Sequence, residues 1–270
     1  MKPTFTSIIT GFLLLFACYH AAEYMILRLN SSLGFLTLSI NFFLLAFFVA
    51  KQQGDGDLRG WGLPFKKAFP VLFVAGLAVG LVISSTLFIA CLVLHIEVIS
   101  FVPPAHHLWP QAALLVFGCA FSSLTEDVLT RGYLYRHVAH RWHKPAMALF
   151  SALVYALNHI HRLNEPVYFM YVFILGIQLV VPLLVTGNLW YTFGVHWAGN
   201  IVYHLTNNVL HTTSGSNGFP GIVVAIIFVL LTIPLHYSIS RRLAGCDNKN
   251  SFFSLQRHSS AFIRHSSEVI

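Results

Sequence analysis

Thr125-Glu126-Asp127-Val128-Leu129-Thr130-Arg131-Gly132 interrupts a run that otherwise reads as membrane-spanning helix. Leu108 to Leu124 holds no charged residue; two adjacent carboxylates and an arginine one helical turn on then follow. An ionised carboxylate at bilayer depth costs about 3 kcal/mol or more unless it is paired or faces a polar cavity. Two of them there point to chemistry more than to packing, and the rest of the chain reads as the scaffold that supplies their partners.

Composition sets the class. Of 270 residues, 56% are hydrophobic and only 9% charged, and mean hydropathy is +0.71. A soluble domain carries roughly 25% charged residues, so an integral membrane protein is expected. The formal charge is +7, but the basic residues lie mainly in loops and tail. That distribution suits anionic lipid headgroups and not nucleic acid. Cys18, Cys91, Cys119 and Cys246 are scattered without a CxxC pair, which argues against a metal or disulfide framework.

A spanning helix needs ~20 mostly apolar residues. Eight runs qualify, at about 6–28, 33–50, 69–94, 109–136, 145–160, 167–186, 189–210 and 219–239, giving an all-α polytopic fold. Residues 1–240 form one transmembrane domain, and 241–270 a basic tail that reads as disordered or lying on the membrane surface. With eight spans, thirteen Lys and Arg fall on the side holding both termini and the 51–68, 137–144 and 187–188 connections. Only Arg28 and Arg162 fall opposite. The positive-inside rule then places both termini in the cytoplasm, in a membrane taken to be the bacterial plasma membrane. Trp61 and Phe65 in the 51–68 loop suit the headgroup layer.

Polar residues within the spans concentrate on the fourth, fifth and seventh. Glu126, Asp127 and Arg131 lie on the fourth; Tyr155 and His159 share a face of the fifth, with Asn158 beside them. His196, Asn200 and His204 form a stripe at i, i+4, i+8 on the seventh. At ~1.5 Å rise per residue, Glu126, His159, His196 and Asn200 lie roughly 10 to 21 Å from the basic side, so all can converge on one cavity. His20 and Glu23, one turn apart on the first span, are expected to pair with each other.

These residues carry a resemblance. Glu126-Asp127-xxx-Arg131, Tyr155-xxx-His159 and His196-xxx-Asn200 together resemble the signature of the CAAX-protease and bacteriocin-processing family (CPBP, or Abi). That family includes the Ras-converting enzyme that trims prenylated proteins. Its pattern is Glu-Glu-xxx-Arg, then Phe-xxx-His, then His-xxx-Asn or His-xxx-Asp. Arg131-Gly132-Tyr133-Leu134 and Gly187-Asn188-Leu189-Trp190 also look like the family, and the resemblance covers about residues 110–210. The chain departs from the pattern at Asp127, at Thr130 where an aromatic is usual, and at Tyr155.

The resemblance implies an intramembrane endopeptidase acting on a membrane-associated protein or peptide. In its glutamate-protease form Glu126 is the general base, His159 orients water and relays a proton, and His196 and Asn200 donate to the oxyanion. Asp127, Arg131 and Tyr155 support them, and no cofactor is needed. In the alternative form Glu126, His159 and His196 bind zinc, a His₂Glu set with water as fourth ligand; Asn200, a poor zinc ligand, sits better in the first form. A transporter, a haem carrier using His159 and His196, and an inactive scaffold of the same fold are the rivals from other classes.

Overall fold

The structure, a computed structural model, describes residues 3–65, 69–162 and 164–266; of His161 and of 246–266 it describes the backbone only. The chain is almost entirely helical: α1 (Phe5–Leu27), α2 (Ser32–Gln52), α3 (Phe69–Val93), α4 (Ala105–Asp127), α5 (Tyr133–Val138), α6 (Lys144–Asn158), α7 (Pro166–Thr186), α8 (Trp190–His204) and α9 (Gly221–Ser266). A five-residue π-helical segment, Val128–Gly132, joins α4 to α5, so the expected fourth span is this composite; α6 and α8 stand where the fifth and seventh were expected. A second π segment, Leu205–Val209, continues α8.

Among the described residues, six helices are long and apolar enough to cross a membrane: Phe5–Leu27, Ser32–Gln52, Phe69–Val93, Ala105–Val138, Pro166–Thr186 and Gly221–Gly245. The protein is an integral membrane protein. The remaining two, α6 and α8, have 15 residues each, about 22 Å of helix against a hydrocarbon core of about 30 Å. They are also the helices that carry the polar residues, and nearly all of the first half of α8 is buried. Their sequences are therefore shaped by the protein interior and not by lipid.

The connections gather at two ends. At one, Tyr133 Oη donates to the Ile8 carbonyl (2.6 Å), Arg136 pairs with Asp55, and Leu189 N–H donates to the Gly62 carbonyl (2.7 Å). These bonds bring together the start of α1, the α2–α3 loop, the end of α5 and the α7–α8 turn. At the other end the α3–α4 and α8–α9 connections form a two-stranded antiparallel ribbon, β1 (Glu97–Ile99) with β2 (Thr212–Ser214). Arg136, Lys144 and Arg241, basic residues expected on one side, fall at the first end; Lys2, Lys66 and Lys67 lie outside the described residues, and of Lys249, Arg257 and Arg264 only the backbone is described.

Trp61 corrects the expectation for its loop. It is fully buried, its indole donates to Asp55 (3.0 Å), and its ring packs edge-on against Tyr133. A tryptophan whose N–H finds a buried carboxylate gains more from the interior than from headgroups. Burial pushes the Asp55 carboxyl up, but the bonds from Arg136 and Trp61 outweigh it and hold it below its ordinary value. Phe65 is exposed, as expected. The last helix runs as backbone to Ser266, so the tail begins inside it, and residues 267–270 lie outside the described chain.

One close helix crossing, α3 with α8, positions the site. A Cβ on Gly76 would stand 2.2 Å from the Tyr191 carbonyl oxygen, and one on Gly194 would stand 2.5 Å from the Leu77 nitrogen. Gly80 likewise faces Val195 and Ala198. Small residues four apart let α3 and α8 touch backbone to backbone, the usual device where lipid offers helices no hydrophobic incentive to associate.

Candidate active site

Glu126 and Asp127 end α4 and are both buried, at 4% and 0% exposure. The π segment that follows lengthens one helical turn; such turns are frequent at functional sites because they leave backbone groups for other partners. Here the Thr130 hydroxyl donates to the Glu126 carbonyl (2.7 Å), and Ser151 from α6 donates to the Thr130 carbonyl (2.8 Å). Gly132 closes the segment against the α2–α3 loop: a Cβ there would meet the Trp61 carbonyl oxygen at 2.6 Å. The arginine-glycine pair of the motif thus has a steric origin as well as an electrostatic one.

Arg131 is fully buried and ion-paired with Asp127. Its guanidinium also donates to Thr130 Oγ1 (3.2 Å) and lies over the Tyr155 ring, 4.3 Å from the centroid. A buried charge needs this kind of pairing, since removing one partner typically costs about 3–5 kcal/mol. Tyr155 therefore acts through its ring face, and its edge also meets His196, with centroids 6.0 Å apart.

His196 joins the two acids. Its Nδ1 lies 3.1 Å from Asp127 Oδ1 and its Nε2 lies 3.6 Å from Glu126 Oε2, ion-pair distance but long for a hydrogen bond. One imidazole is thus shared between adjacent carboxylates. α8 is fastened to α4 twice more: Asn200 Nδ2 donates to Ser123 Oγ (3.0 Å) and Trp197 Nε1 to the Val116 carbonyl (2.8 Å).

His159 lies just past the end of α6, with φ −97° and ψ 26°. Its Nδ1 donates to the Tyr155 carbonyl (3.1 Å). Its ring stays near Tyr155 (5.2 Å) and Tyr168 (6.2 Å). From the last residue of α6, Asn158 Nδ2 donates to Glu126 Oε1 over a long 3.4 Å. Sequence reasoning noted Asn158 but gave it no part; the i, i+4 pattern drew attention to its neighbour, and the signal that could have found it was an amide one residue from the motif histidine. Ser123 and Ser151 were missed altogether.

Asp127 Oδ2, Arg131 Nε and Nη2, and Asn158 Oδ1 are buried without a hydrogen-bond partner among the described residues. Four such atoms in one cluster are uncommon in a folded protein and mark a place built to receive polar groups. Among the described residues no three His, Cys, Asp or Glu side chains gather as a candidate metal-ligand set. His20 and Glu23 pair at 3.0 Å, and Glu23 also accepts from the buried Tyr19 hydroxyl (3.0 Å).

Comparison with known families meets this geometry directly: residues 108–202 match the family model Rce1-like, described as Type II CAAX prenyl endopeptidase Rce1-like. The resemblance is borne out. The Rce1-like segment covers roughly a third of the chain and contains every motif residue from Glu126 to Asn200. Comparison with curated proteins and with solved structures gave no match.

Proposed function

We propose that the protein is an intramembrane endopeptidase that hydrolyses a peptide bond of a membrane-associated protein or peptide, with Glu126 as general base. The observation that carries this reading is the buried junction of Glu126, Asp127, Arg131 and His196 inside the Rce1-like segment.

Hydrolysis needs an activated water, a route for its proton, and donors for the tetrahedral oxyanion. Glu126 takes the proton as the water oxygen bonds to the scissile carbonyl carbon. His159 orients that water and relays the proton to the leaving amine as the C–N bond breaks. The oxyanion is met by His196 Nε2–H and by Asn200 Nδ2–H, which turns from Ser123 toward the substrate. Asp127 fixes the orientation of the His196 ring through Nδ1, Arg131 balances its charge, and Tyr155 seats the guanidinium. Asn158 fixes the Glu126 carboxylate. No step requires a metal, and the side-chain placement favours the metal-free form over the zinc form. A haem carrier finds less support, because both ring nitrogens of His196 face carboxylates.

Eight crossings with both termini cytoplasmic accompany this reading. It is supported by the gathering of the N-terminal, 53–65, 136–144 and 187–189 segments at one end of the bundle and the β1–β2 ribbon at the other.

The test is kinetic. Exhaustive chelation should leave turnover of a reconstituted membrane-anchored peptide intact, and Glu126→Gln should abolish it. His196→Ala and Asn200→Ala should each lower kcat about 10²–10³-fold, as loss of one oxyanion donor does. Stoichiometric zinc that leaves with activity and restores it on return would overturn the metal-free mechanism.

A further inference from the structure

At the end of the bundle that gathers the basic residues, a cavity of about 560 Å³ opens between the end of α5, the start of α6 and the end of α7. A second of about 250 Å³ shares Lys144 and Val185 with it and extends to Tyr237 and Arg241 on α9. Neither is lined by an Asp or a Glu. Arg136 in the first cavity is neutralised by Asp55. Lys144 and Arg241 have no acidic partner among the described residues. Lys144 is moreover the first residue of α6, where the helix dipole adds positive potential.

We propose that these joined cavities bind the phosphate of an anionic phospholipid headgroup, held between Lys144 and Arg241. Two cations without partners, facing one hollow that holds no carboxylate, are a standing electrostatic demand for an anion. The surroundings specify a lipid as its source. Trp142 and Tyr237, each 45% exposed, flank the two cavities as aromatic side chains do at the headgroup layer. Exposed apolar side chains continue from there along the helices, Leu149 and Leu153 on α6 and Leu231 and Leu235 on α9, where acyl chains would lie. The site is separate from Glu126 and makes no use of the proposed catalytic residues.

Native mass spectrometry of the detergent-solubilised full chain, titrated with phosphatidylglycerol, phosphatidylcholine and inorganic phosphate in separate arms, tests the assignment. Each basic residue near a headgroup raises affinity for an anionic lipid about fivefold, so phosphatidylglycerol should be retained some thirtyfold more strongly than phosphatidylcholine. The double variant Lys144→Gln/Arg241→Gln should lose that preference, and Lys144→Arg/Arg241→Lys should restore it, which separates lost binding from lost folding. Arg28→Gln, at the opposite end, should leave it unchanged. Equal retention of the two lipids, or a preference that survives the double glutamine variant, would overturn the proposal. Saturation by inorganic phosphate with no preference between the lipids would overturn the lipid assignment as well.

Discussion

His196 and Asp127 meet through Nδ1 and Oδ1 at 3.1 Å, and the same carboxylate oxygen is the one paired with Arg131. Asp127 is therefore the hub of two partners, Arg131 and His196, while Glu126, its neighbour in sequence, is addressed by His196 from one side and Asn158 from the other. Adjacent acids roughly 100° apart on one helix are thereby given different work. The first organises the cluster; the second is left to act.

Substituting Asp127 tests that division. Asp127→Asn should retain part of the activity while lowering stability by several kcal/mol, about 3–5, because the Arg131 charge is left buried without its partner. Adding Arg131→Gln should recover thermal stability without restoring the full rate. Glu126→Gln should instead abolish turnover and leave stability nearly unchanged. Equal and complete loss of activity in folded Asp127→Asn and Glu126→Gln proteins would place Asp127 in the catalytic set.

Asn158 offers a sharper probe, since the motif pattern does not include it. Asn158→Leu keeps the volume and removes the donor to Glu126, and should lower kcat with little change in KM. Asn158→Asp sets a like charge against Glu126 and should be the more damaging of the two. A Leu variant with wild-type kcat would show that the 3.4 Å contact does not position the base.

The close crossing of α3 and α8 predicts a remote effect. Gly76→Ala places a methyl group where the Tyr191 carbonyl oxygen stands, 2.2 Å away, so α8 must move, and with it His196 and Asn200. The expected cost is about 1–3 kcal/mol in stability, together with a fall in kcat, since a misplacement of 1 Å can cost ~10²-fold. Gly118→Ala, where nothing lies within 4 Å of the added carbon, is the matched control and should change neither. Unaltered kcat in the Gly76 variant would detach this crossing from the site.

Much of this was legible in the sequence. The charged interruption at Glu126 stands out because lipid tolerates so little charge, and the three polar patches fell on helices that do come together. What was not legible has physical causes. The π segment after Asp127 leaves no pattern in hydropathy, although it decides where Thr130, Arg131 and Gly132 point. Asn158 gave no such signal: it stands beside the i, i+4 pair of Tyr155 and His159, and only the fold brings its amide to Glu126. Trp61 looked interfacial because its loop is polar, but Asp55 and Tyr133, distant in sequence from each other, make it a core residue.

Topology follows from the same end-to-end reading. Reporters fused after Ile270 and inserted in the 51–57 part of the α2–α3 loop should both read as cytoplasmic, and one inserted between β2 and α9, near Asn217, should not. A non-cytoplasmic signal at the C-terminus would contradict eight crossings.

The central claim is proteolysis by Glu126, and it is tested most directly by peptide-terminus profiling of membranes from cells carrying either the wild-type chain or Glu126→Gln at matched abundance. The account predicts a defined set of new termini, on membrane-associated proteins or peptides, that is present with the wild type and absent with the variant. Indistinguishable terminus profiles from the two membranes would contradict it.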